Sequence, residues 1–346
     1  MPRKKNKQEE NRPAARPRLT LKLLLPLAVL LGGVFCCYEL AKGFVTAPPE
    51  PDAPKLEQTA PETIYPLDPE WDKMTERITK TANRFQGRMA VYLKDLSTGR
   101  TWELNADEEV PSASLIKVPI MAALLEQAHR GNVRLDEKLV MTRADKVGGS
   151  GKLRRWRNGT RFTIRELMHT MITESDNTAA HLLIKRLGMA YLQSQFAAMG
   201  LQKTNITPEG MSLDSYGVAR ENYTTAREMA GLLERIYKGE LVTPQYSGLM
   251  LETMKHLRHA TRFSKRLPSG WRLAHKTGML RQSCHDAGIF FSPDKDYLMV
   301  VLSWQVPDYR YAARQITKVA EHTFGYYRQF KIQTAGAPEK RNSRSL

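Results

Sequence analysis

The order of apolar patterns along residues 70–330 is the feature that most constrains the fold of this chain. Apolar residues recur at helical spacing from Trp71 to Phe85, and two strand-like runs, at 89–93 and 101–104, lie on either side of a Ser-Thr-Gly-Arg turn. After a long helical stretch, three more strand-like runs precede a final helix, at 271–276, 287–291 and 297–304. This order predicts an α+β fold in which a helical insertion interrupts an antiparallel sheet.

Polar residues and glycines mark helix boundaries inside the central stretch. Thr163 and Glu166 have the spacing of a capping box before an apolar helix face, and Thr225 with Glu228 repeats that spacing further along the chain. Gly188 follows another apolar face and predicts a helix end. The insertion is therefore expected to contain several amphipathic helices.

The amino-terminal region has a composition of its own. Residues 1–18 carry seven Lys and Arg against two acidic residues, and residues 19–42 include an uncharged apolar run long enough, with its flanks, to span a bilayer core of about 30 Å. We expect a basic cytoplasmic lead and then a transmembrane signal anchor, because clustered Lys and Arg stay on the cytoplasmic side. Residues 43–69 are rich in proline and predict an extended linker.

Two other interpretations of this region stay open. A cleavable signal peptide would end at the small-residue site Val45-Thr46-Ala47. Lipidation at Cys36 is disfavoured by the bulky Phe35 before it. The anchor interpretation places a folded domain at 70–330 outside the cytoplasm, followed by a basic tail at 331–346.

The formal net charge of +17 indicates an anionic partner. Nucleic acid is one such partner, and an anionic membrane or cell wall is another. Since the anchor would hold the folded domain outside the cytoplasm, we expect envelope polymers and not nucleic acid beside it. Two of the three cysteines lie within the expected anchor, which leaves Cys284 alone in the folded domain and excludes a disulfide scaffold.

Three short motifs carry candidate catalytic groups. Ser114 and Lys117 are three residues apart at the start of an apolar helical run, so they share one helix face and could act as nucleophile and base, although this spacing also occurs by chance. Ser175 and Asn177 fall between two amphipathic helices, where the same residue types serve as caps. Lys276-Thr277-Gly278 ends an apolar strand, and its glycine would let a substrate approach the backbone.

Together the motifs are far more specific than any one of them. They occur in order on a helix start, an inter-helix loop and a strand end, and the trio resembles the penicillin-recognising serine enzymes, most closely the class A β-lactamases. The stretches 110–117 and 171–178 are similar to that family's catalytic segments, and Gly149-Ser150-Gly151 is similar to a loop that borders its cleft. The resemblance covers residues 71–330. It implies a β-lactamase/transpeptidase-like fold, with a five-stranded antiparallel sheet, flanking terminal helices and an inserted all-helical subdomain.

The resemblance also implies roles for the first two motifs. Ser114 would attack the substrate carbonyl and form an acyl-enzyme, and Lys117 would accept its proton, directly or through water. Ser175 would relay a proton to the leaving nitrogen, and Asn177 would hold the substrate's side-chain amide.

The strand motif would form the opposite wall of the site. Lys276 and Thr277 would bind the substrate carboxylate, and Gly278 would leave room beside the strand. The backbone N–H groups of Ser114 and Met279 would form the oxyanion hole.

One departure from the family pattern concerns release of the acyl group. Class A enzymes use a glutamate-activated water, and Glu209 stands about where that glutamate belongs, but Leu213 occupies the position at which the family has asparagine. Glu221 is a second candidate. If neither carboxylate positions water, the acyl-enzyme would persist.

The sequence thus predicts a membrane-anchored serine β-lactamase-like hydrolase, monomeric at the bacterial inner membrane. The alternatives are a DD-peptidase or penicillin-binding protein acting on peptidoglycan stem peptides, and a slowly deacylating β-lactam-binding protein. No cofactor is expected, and His256 with His259 lacks the third ligand that a metal site requires. His275 is expected to line the cleft beside Lys276 without catalysing.

Overall fold

The computed structural model describes residues 65–208, 221–258 and 262–328. The strands are β1 (Arg88–Asp95), β2 (Thr101–Leu104), β3 (Val110–Pro111), β4 (Lys138–Val140), β5 (Arg161–Thr163), β6 (Tyr223–Thr224), β7 (Arg272–Leu280), β8 (Ser283–Phe291) and β9 (Tyr297–Trp304). The helices are α1 (Pro69–Asn83), α2 (Lys117–His129), α3 (Ile164–Thr173), α4 (Asn177–Leu187), α5 (Met189–Ala198), α6 (Ala226–Lys238), α7 (Pro244–Lys255) and α8 (Tyr309–Arg328).

Five strands form one antiparallel sheet in the order β2-β1-β9-β8-β7. Helices α2 to α7 lie between β2 and β7 in the chain, so the helical insertion interrupts the sheet as the sequence predicts. The expected α+β fold is confirmed.

Strand β9 shows how the sheet is buried on both faces. Its eight residues are all buried, since it lies between β1 and β8 with a layer of helices on each side. Leu298 and Val300 point into a core shared with the insertion, whereas Tyr297 and Met299 point into a second core shared with α1 and α8. Alternation along one strand therefore supplies both cores, because successive side chains point to opposite faces.

The helix ends agree with the expected caps in all but one detail. Thr163 and Glu166 form the reciprocal capping box at the start of α3, and α4 ends at Gly188. At α6, Thr225 accepts a hydrogen bond from the Glu228 N–H. The Glu228 carboxylate, however, accepts from the backbone N–H groups of residues 202–204, so the second capping box is a one-sided cap.

Two short strand pairs connect the insertion to itself and to the sheet layer. Strand β3 pairs with β6, and β4 pairs with β5. The β3–β6 pair brings residue 222 next to residue 112, where the Ser112 N–H donates to the Asn222 carbonyl at 2.7 Å. The β3–β6 pair thus fixes the chain immediately before Ser114.

The expected lead, anchor and tail lie outside the described residues, as does all of the linker before Tyr65. Within the ranges that the structure describes, no helix has the length and apolar character needed to cross a bilayer. The anchor and the domain boundaries therefore stay predictions.

Candidate active site

The three sequence motifs meet at one hydroxyl group, that of Ser175. Lys276 Nζ donates to Ser175 Oγ at 3.0 Å, and Lys117 Nζ lies 3.3 Å from the same oxygen. One lysine begins helix α2, the other lies on edge strand β7, and the serine lies in the loop before α4. The insertion and the sheet therefore each supply part of one polar cluster.

Lys117 is buried and fully engaged by the loop opposite it. Only 1% of its surface is exposed, and its Nζ donates to the Ser175 carbonyl and to Asn177 Oδ1, both at 2.6 Å. Burial lowers the pKa of this amine to about 7, although the charge of Asp176 acts in the opposite direction. A substantial fraction of Lys117 is thus neutral near pH 7, as a general base requires.

Lys276 is equally buried and faces the same cluster. Loss of hydration and then the nearby charge of Lys117 lower the pKa of Lys276 well below that of a free lysine, and Asp286 partly opposes them. Its Nζ also donates to the Thr277 carbonyl at 2.9 Å. Two buried amines that share Ser175 disfavour simultaneous protonation, because like charges repel strongly where water is excluded.

Ser114 lies on a 3-10 turn, Ala113–Ile116, which leads directly into α2. Ala113 has φ 48°, a left-handed conformation that costs a residue with a side chain about 1–2 kcal/mol. The Ser114 side chain is partly exposed. Among the described contacts, Lys117 Nζ donates to Ser175 and Asn177, not to Ser114, so the direct Ser–Lys hydrogen bond suggested by the spacing is not made here.

Gly278 brings β7 against the turn that carries Ser114. A Cβ atom at this position would lie 3.1 Å from Ala113 Cβ and 3.3 Å from the Ser112 carbonyl oxygen, which leaves little room for any side chain. The motif lies inside the strand and not at its end, since β7 continues to Leu280. Met279 is half-exposed at the same place. The close approach places β7 against the turn that carries Ser114, and an oxyanion hole formed by the Ser114 and Met279 N–H groups stays a prediction.

The loop at 148–152 is bound to the Ser175–Asn177 segment. Asn177 Nδ2 donates to the Gly148 carbonyl at 2.9 Å, and the Asn177 N–H donates to the Ser150 carbonyl at 3.1 Å. Gly151 has φ 99°, and a Cβ there would overlap the Asp176 carboxylate. This loop therefore borders the polar cluster, where the sequence resemblance suggested it.

Asp176 is an organising residue that the sequence reasoning did not single out. It is buried, it caps α4 through the Ala179 N–H, and its other oxygen accepts from the N–H groups of Lys152 and Leu153 at 2.6 and 2.9 Å. Ser175, directly before it, is held at φ 53°. The signal available was its place at the centre of the Ser-Asp-Asn motif.

The histidines near β7 have structural positions. His275 is 3% exposed, and its Nδ1 lies 2.8 Å from Asp286 Oδ1 on the sheet face away from Lys276, so the expectation that it lines the cleft is wrong. Strand alternation explains this, because neighbouring side chains point to opposite faces. His285 donates from Nε2 to the Pro111 carbonyl at 2.8 Å, and burial lowers its pKa to about 4. The neutral His285 side chain thus links β8 to the chain before Ser114 by a hydrogen bond.

Of the two candidate deacylation carboxylates, Glu221 lies within the described residues. Glu209 and Leu213 lie outside the described residues. Glu221 is partly buried, and burial raises its pKa. The Thr207 N–H donates to Asn222 Oδ1 at 2.7 Å, so residues 207 and 222 lie next to each other. Because the Asn222 carbonyl also accepts from the Ser112 N–H, both residues lie near the turn that carries Ser114.

In the parts of the chain that are described, no group of three His, Cys, Asp or Glu residues could hold a metal ion. His256 Nδ1 contacts the Glu252 carbonyl at 2.7 Å as α7 ends, and His259 lies outside the described residues. Cys284 is a buried free thiol and accepts a hydrogen bond from Arg262 Nε at 3.0 Å.

The class of penicillin-recognising serine hydrolases is defined by this sheet order, these inserted helices and a Ser-Lys pair near a second serine and a second lysine. Here the pair is Ser114 and Lys117, and the second serine and lysine are Ser175 and Lys276. A model of the β-lactamase enzyme family matches residues 73–327. A β-lactamase from Streptomyces albus G is 30% identical over 218 residues, which are 60% of this chain and 69% of that protein.

Solved structures agree with this match. A β-lactamase from Sphaerobacter thermophilus has the same fold, with a TM-score of 0.70 at 23% identity over 76% of this chain and 99% of that chain. A mutant of PBP-A, solved as an acyl-enzyme complex with penicillin G, is 28% identical with a TM-score of 0.69 over 76% of this chain and 100% of that chain. The chain belongs to the β-lactamase enzyme family and is a serine hydrolase of the class A β-lactamase type.

Proposed function

We propose that this protein opens β-lactam rings through an acyl-enzyme on Ser114. The observation that carries the proposal is the convergence of Lys117, Lys276 and Ser175 beside the turn of Ser114, with the pKa values of both lysines lowered by burial. Structural amines rarely occupy such positions without ion-pair partners, because an unpaired buried charge is costly. The acyl-enzyme of the PBP-A mutant with penicillin G supports the same chemistry in a relative.

In acylation, Ser114 Oγ attacks the lactam carbonyl carbon and the C–N bond breaks. Neutral Lys117 accepts the hydroxyl proton, directly or through water. The backbone N–H groups of Ser114 and Met279 stabilise the negative oxygen, and Gly278 is the residue that permits this close approach.

The leaving nitrogen must gain a proton for the ring to stay open. Ser175 Oγ lies within hydrogen-bonding distance of both lysines, so it can donate its proton to the nitrogen and recover one from either amine. Asn177 binds the amide of the substrate side chain, and Lys276 with Thr277 binds the carboxylate. The net positive charge of the chain favours such an anionic substrate.

Deacylation decides between two functions of this site. Water activated by Glu209 or Glu221 would hydrolyse the ester and complete a β-lactamase cycle. Leu213, where the family has asparagine, favours the second candidate, a slowly deacylating penicillin-binding protein or DD-peptidase acting on peptidoglycan stem peptides.

Steady-state hydrolysis of a chromogenic cephalosporin tests this choice. We expect many turnovers per molecule, and no turnover by S114A, which lacks the nucleophile. A single burst followed by a stable covalent adduct in the intact-protein mass spectrum would instead favour the second candidate. Hydrolysis that survives in S114A would contradict both.

Two matched variants, E209Q and E221Q, identify the deacylating carboxylate. The variant that removes it should accumulate acyl-enzyme while the acylation rate stays unchanged, since the substitution keeps the side chain's size and removes only its basicity. Unchanged turnover in both would exclude both residues.

The membrane location is part of the same proposal. Residues 19–42 would anchor the chain in the inner membrane and hold the hydrolase as a monomer in the periplasm, where its substrates occur. Alkaline extraction of membranes from expressing cells tests this point. We expect the chain to stay in the membrane pellet at full length, and a shortened, extractable form would indicate signal-peptide cleavage.

A further inference from the structure

A basic segment borders the Ser175–Asn177 loop, and none of its charged side chains has a role in the proposed mechanism. We name residues 138–161 the basic rim. It contains eight Lys and Arg and one acidic residue. Its cations are Lys138, Arg143, Lys146, Lys152, Arg154, Arg155, Arg157 and Arg161.

The acidic residue of the basic rim does not neutralise these cations. Asp145 is 1% exposed and is bound by Lys185 from α4 at 2.8 Å and by Thr142. Five arginines of the basic rim are exposed and make no ion pair within the described residues: Arg143, Arg154, Arg155, Arg157 and Arg161. Their charge is therefore not consumed in holding the fold together.

The basic rim also exposes apolar side chains. Trp156 is 52% exposed and Val140 is 45% exposed, and they are two of the five exposed large apolar side chains within the described residues. Trp156 packs edge-on against Phe162 at 5.4 Å, so its ring has a fixed place. Val140 pairs with Arg161 across the β4–β5 hairpin, which puts an apolar and a cationic side chain on the same exposed face.

The basic rim combines arginines without ion pairs and exposed apolar groups. This combination distinguishes between two anionic partners, a soluble phosphate polymer and an anionic bilayer. A soluble phosphate polymer would use the arginines but would gain little from Val140. An anionic bilayer uses both, because arginines bind lipid phosphates while tryptophan occupies the interface between headgroups and acyl chains. The observations therefore favour a lipid surface.

The basic rim is rigidly connected to the candidate active site. Asn177 binds the Gly148 and Ser150 carbonyls, and Asp176 binds the N–H groups of Lys152 and Leu153. Lys146 Nζ further donates to the Trp156 carbonyl at 2.6 Å. A surface that binds the rim therefore has a fixed position relative to the catalytic residues.

We propose that the basic rim is a docking surface for anionic phospholipid headgroups, with Trp156 in the interfacial layer. This contact is independent of the proposed transmembrane anchor and of the proposed hydrolysis. It would hold the folded domain against the bilayer, which an extended Pro-rich linker alone would not do.

Lipid-specific quenching of Trp156 in the full-length protein tests the proposal. The protein and its W156F variant are reconstituted into phosphatidylglycerol vesicles or phosphatidylcholine vesicles that contain brominated lipids. The difference in quenched tryptophan fluorescence between the protein and W156F, measured in the same vesicles, reports Trp156 alone. This holds whether or not an anchor is inserted. We expect Trp156 quenching in phosphatidylglycerol vesicles and severalfold less in phosphatidylcholine vesicles or high salt.

Matched charge variants sharpen the result. R154Q/R155Q/R157Q should lose Trp156 quenching severalfold, whereas R310Q/R314Q/K318Q, which removes three exposed cations from α8, should keep it. No Trp156 quenching in phosphatidylglycerol vesicles would overturn the proposal. A response of Trp156 to soluble polyphosphate without any response to vesicles would overturn it as well and would identify a phosphate polymer as the partner. Since no readout uses substrate turnover, failure of the proposed function would leave this test unaffected.

Discussion

The two faces of the sheet are buried by different chemistry. Toward the insertion, Lys276 and Lys117 are fully buried amines that share one serine hydroxyl. Toward α1 and α8, the core is aromatic: Phe290 stacks on Tyr297 at 4.5 Å, and Tyr297 stacks on Tyr327 at 4.0 Å. Both faces gain stability from apolar burial, but only the insertion face also carries the cost of these two desolvated amines.

The difference indicates that buried amines serve catalysis on one face and that aromatic side chains serve stability on the other. Buried amines stabilise a fold poorly, since desolvation offsets their hydrogen bonds. Stacked aromatic rings bury large apolar areas and pack in favourable geometries. Substitutions in the aromatic core are therefore expected to change stability, whereas substitutions of the two buried amines should change catalysis.

The largest effect is expected for K117M. Methionine fills a similar volume but cannot accept a proton, so we expect the acylation rate to fall by a factor of about a hundred to ten thousand. Stopped-flow acylation by a chromogenic cephalosporin measures this. K73M, which changes an exposed lysine on α1, should leave the rate unchanged. A K117M rate within a few-fold of the unsubstituted protein would remove Lys117 from the proposed base role.

On the aromatic face, F290A should act on stability instead. Phe290 is fully buried between Tyr297, Phe263 and Phe324, so the cavity should lower the free energy of unfolding by about 3–5 kcal/mol. Urea unfolding measures this change. The acylation rate per folded molecule should stay the same, and F290L should lose less stability. A F290A variant with full stability and slow acylation would reverse the proposed division.

A smaller effect is expected from pH. Because burial lowers the pKa of Lys117 to about 7, its neutral fraction should fall about tenfold per pH unit below that value, and the acylation rate should fall with it. The measurement is a pH–rate profile of acylation at limiting substrate. An apparent pKa near 4 to 5 would point to a carboxylate base instead.

The lowered pKa of Lys117 also makes the stability of the protein depend on pH. The unfolded chain binds a proton on Lys117 up to about pH 10, whereas the folded chain releases it near pH 7, so stability should rise with pH between these values. The slope contributed by Lys117 is at most about 1.4 kcal/mol per pH unit. Urea midpoints of the unsubstituted protein and K117M, compared from pH 7 to pH 9, should diverge in this direction.

The smallest effect is expected for A113G. Glycine relieves the left-handed strain beside Ser114 but gives the unfolded chain more freedom, so the net gain in unfolding free energy should be about 1 kcal/mol or less. A128G, on helix α2, should lose about 1 kcal/mol. Equal losses in both variants would show that Ala113 is not strained.

Much of the architecture follows from periodicity in the sequence. Strand β9 has the predicted bounds, and the capping box at Thr163 and the helix end at Gly188 have the predicted form. Local patterns determine these features. The two-residue strands β3 and β6 were not predicted, because so short a pair has no periodicity and forms only when distant segments meet.

The site could be predicted in part through its motifs. Their resemblance to the class A β-lactamases implied that Lys117, Ser175 and Lys276 belong to one site, and the structure brings them into contact. The buried His275–Asp286 pair was not foreseen, because its partners come from different strands and only strand register puts them on one face.

The strand order has a consequence for biosynthesis. Strand β9, near the end of the described chain, lies between β1 and β8, so the amino-terminal hairpin cannot join β7 and β8 until residues 297–304 have been made. Until then, Lys276 lies on a β7–β8 hairpin that lacks its neighbouring strand β9. A chain emerging from a ribosome should therefore acquire hydrolytic competence only in a late step, after residues 297–304 have joined the sheet.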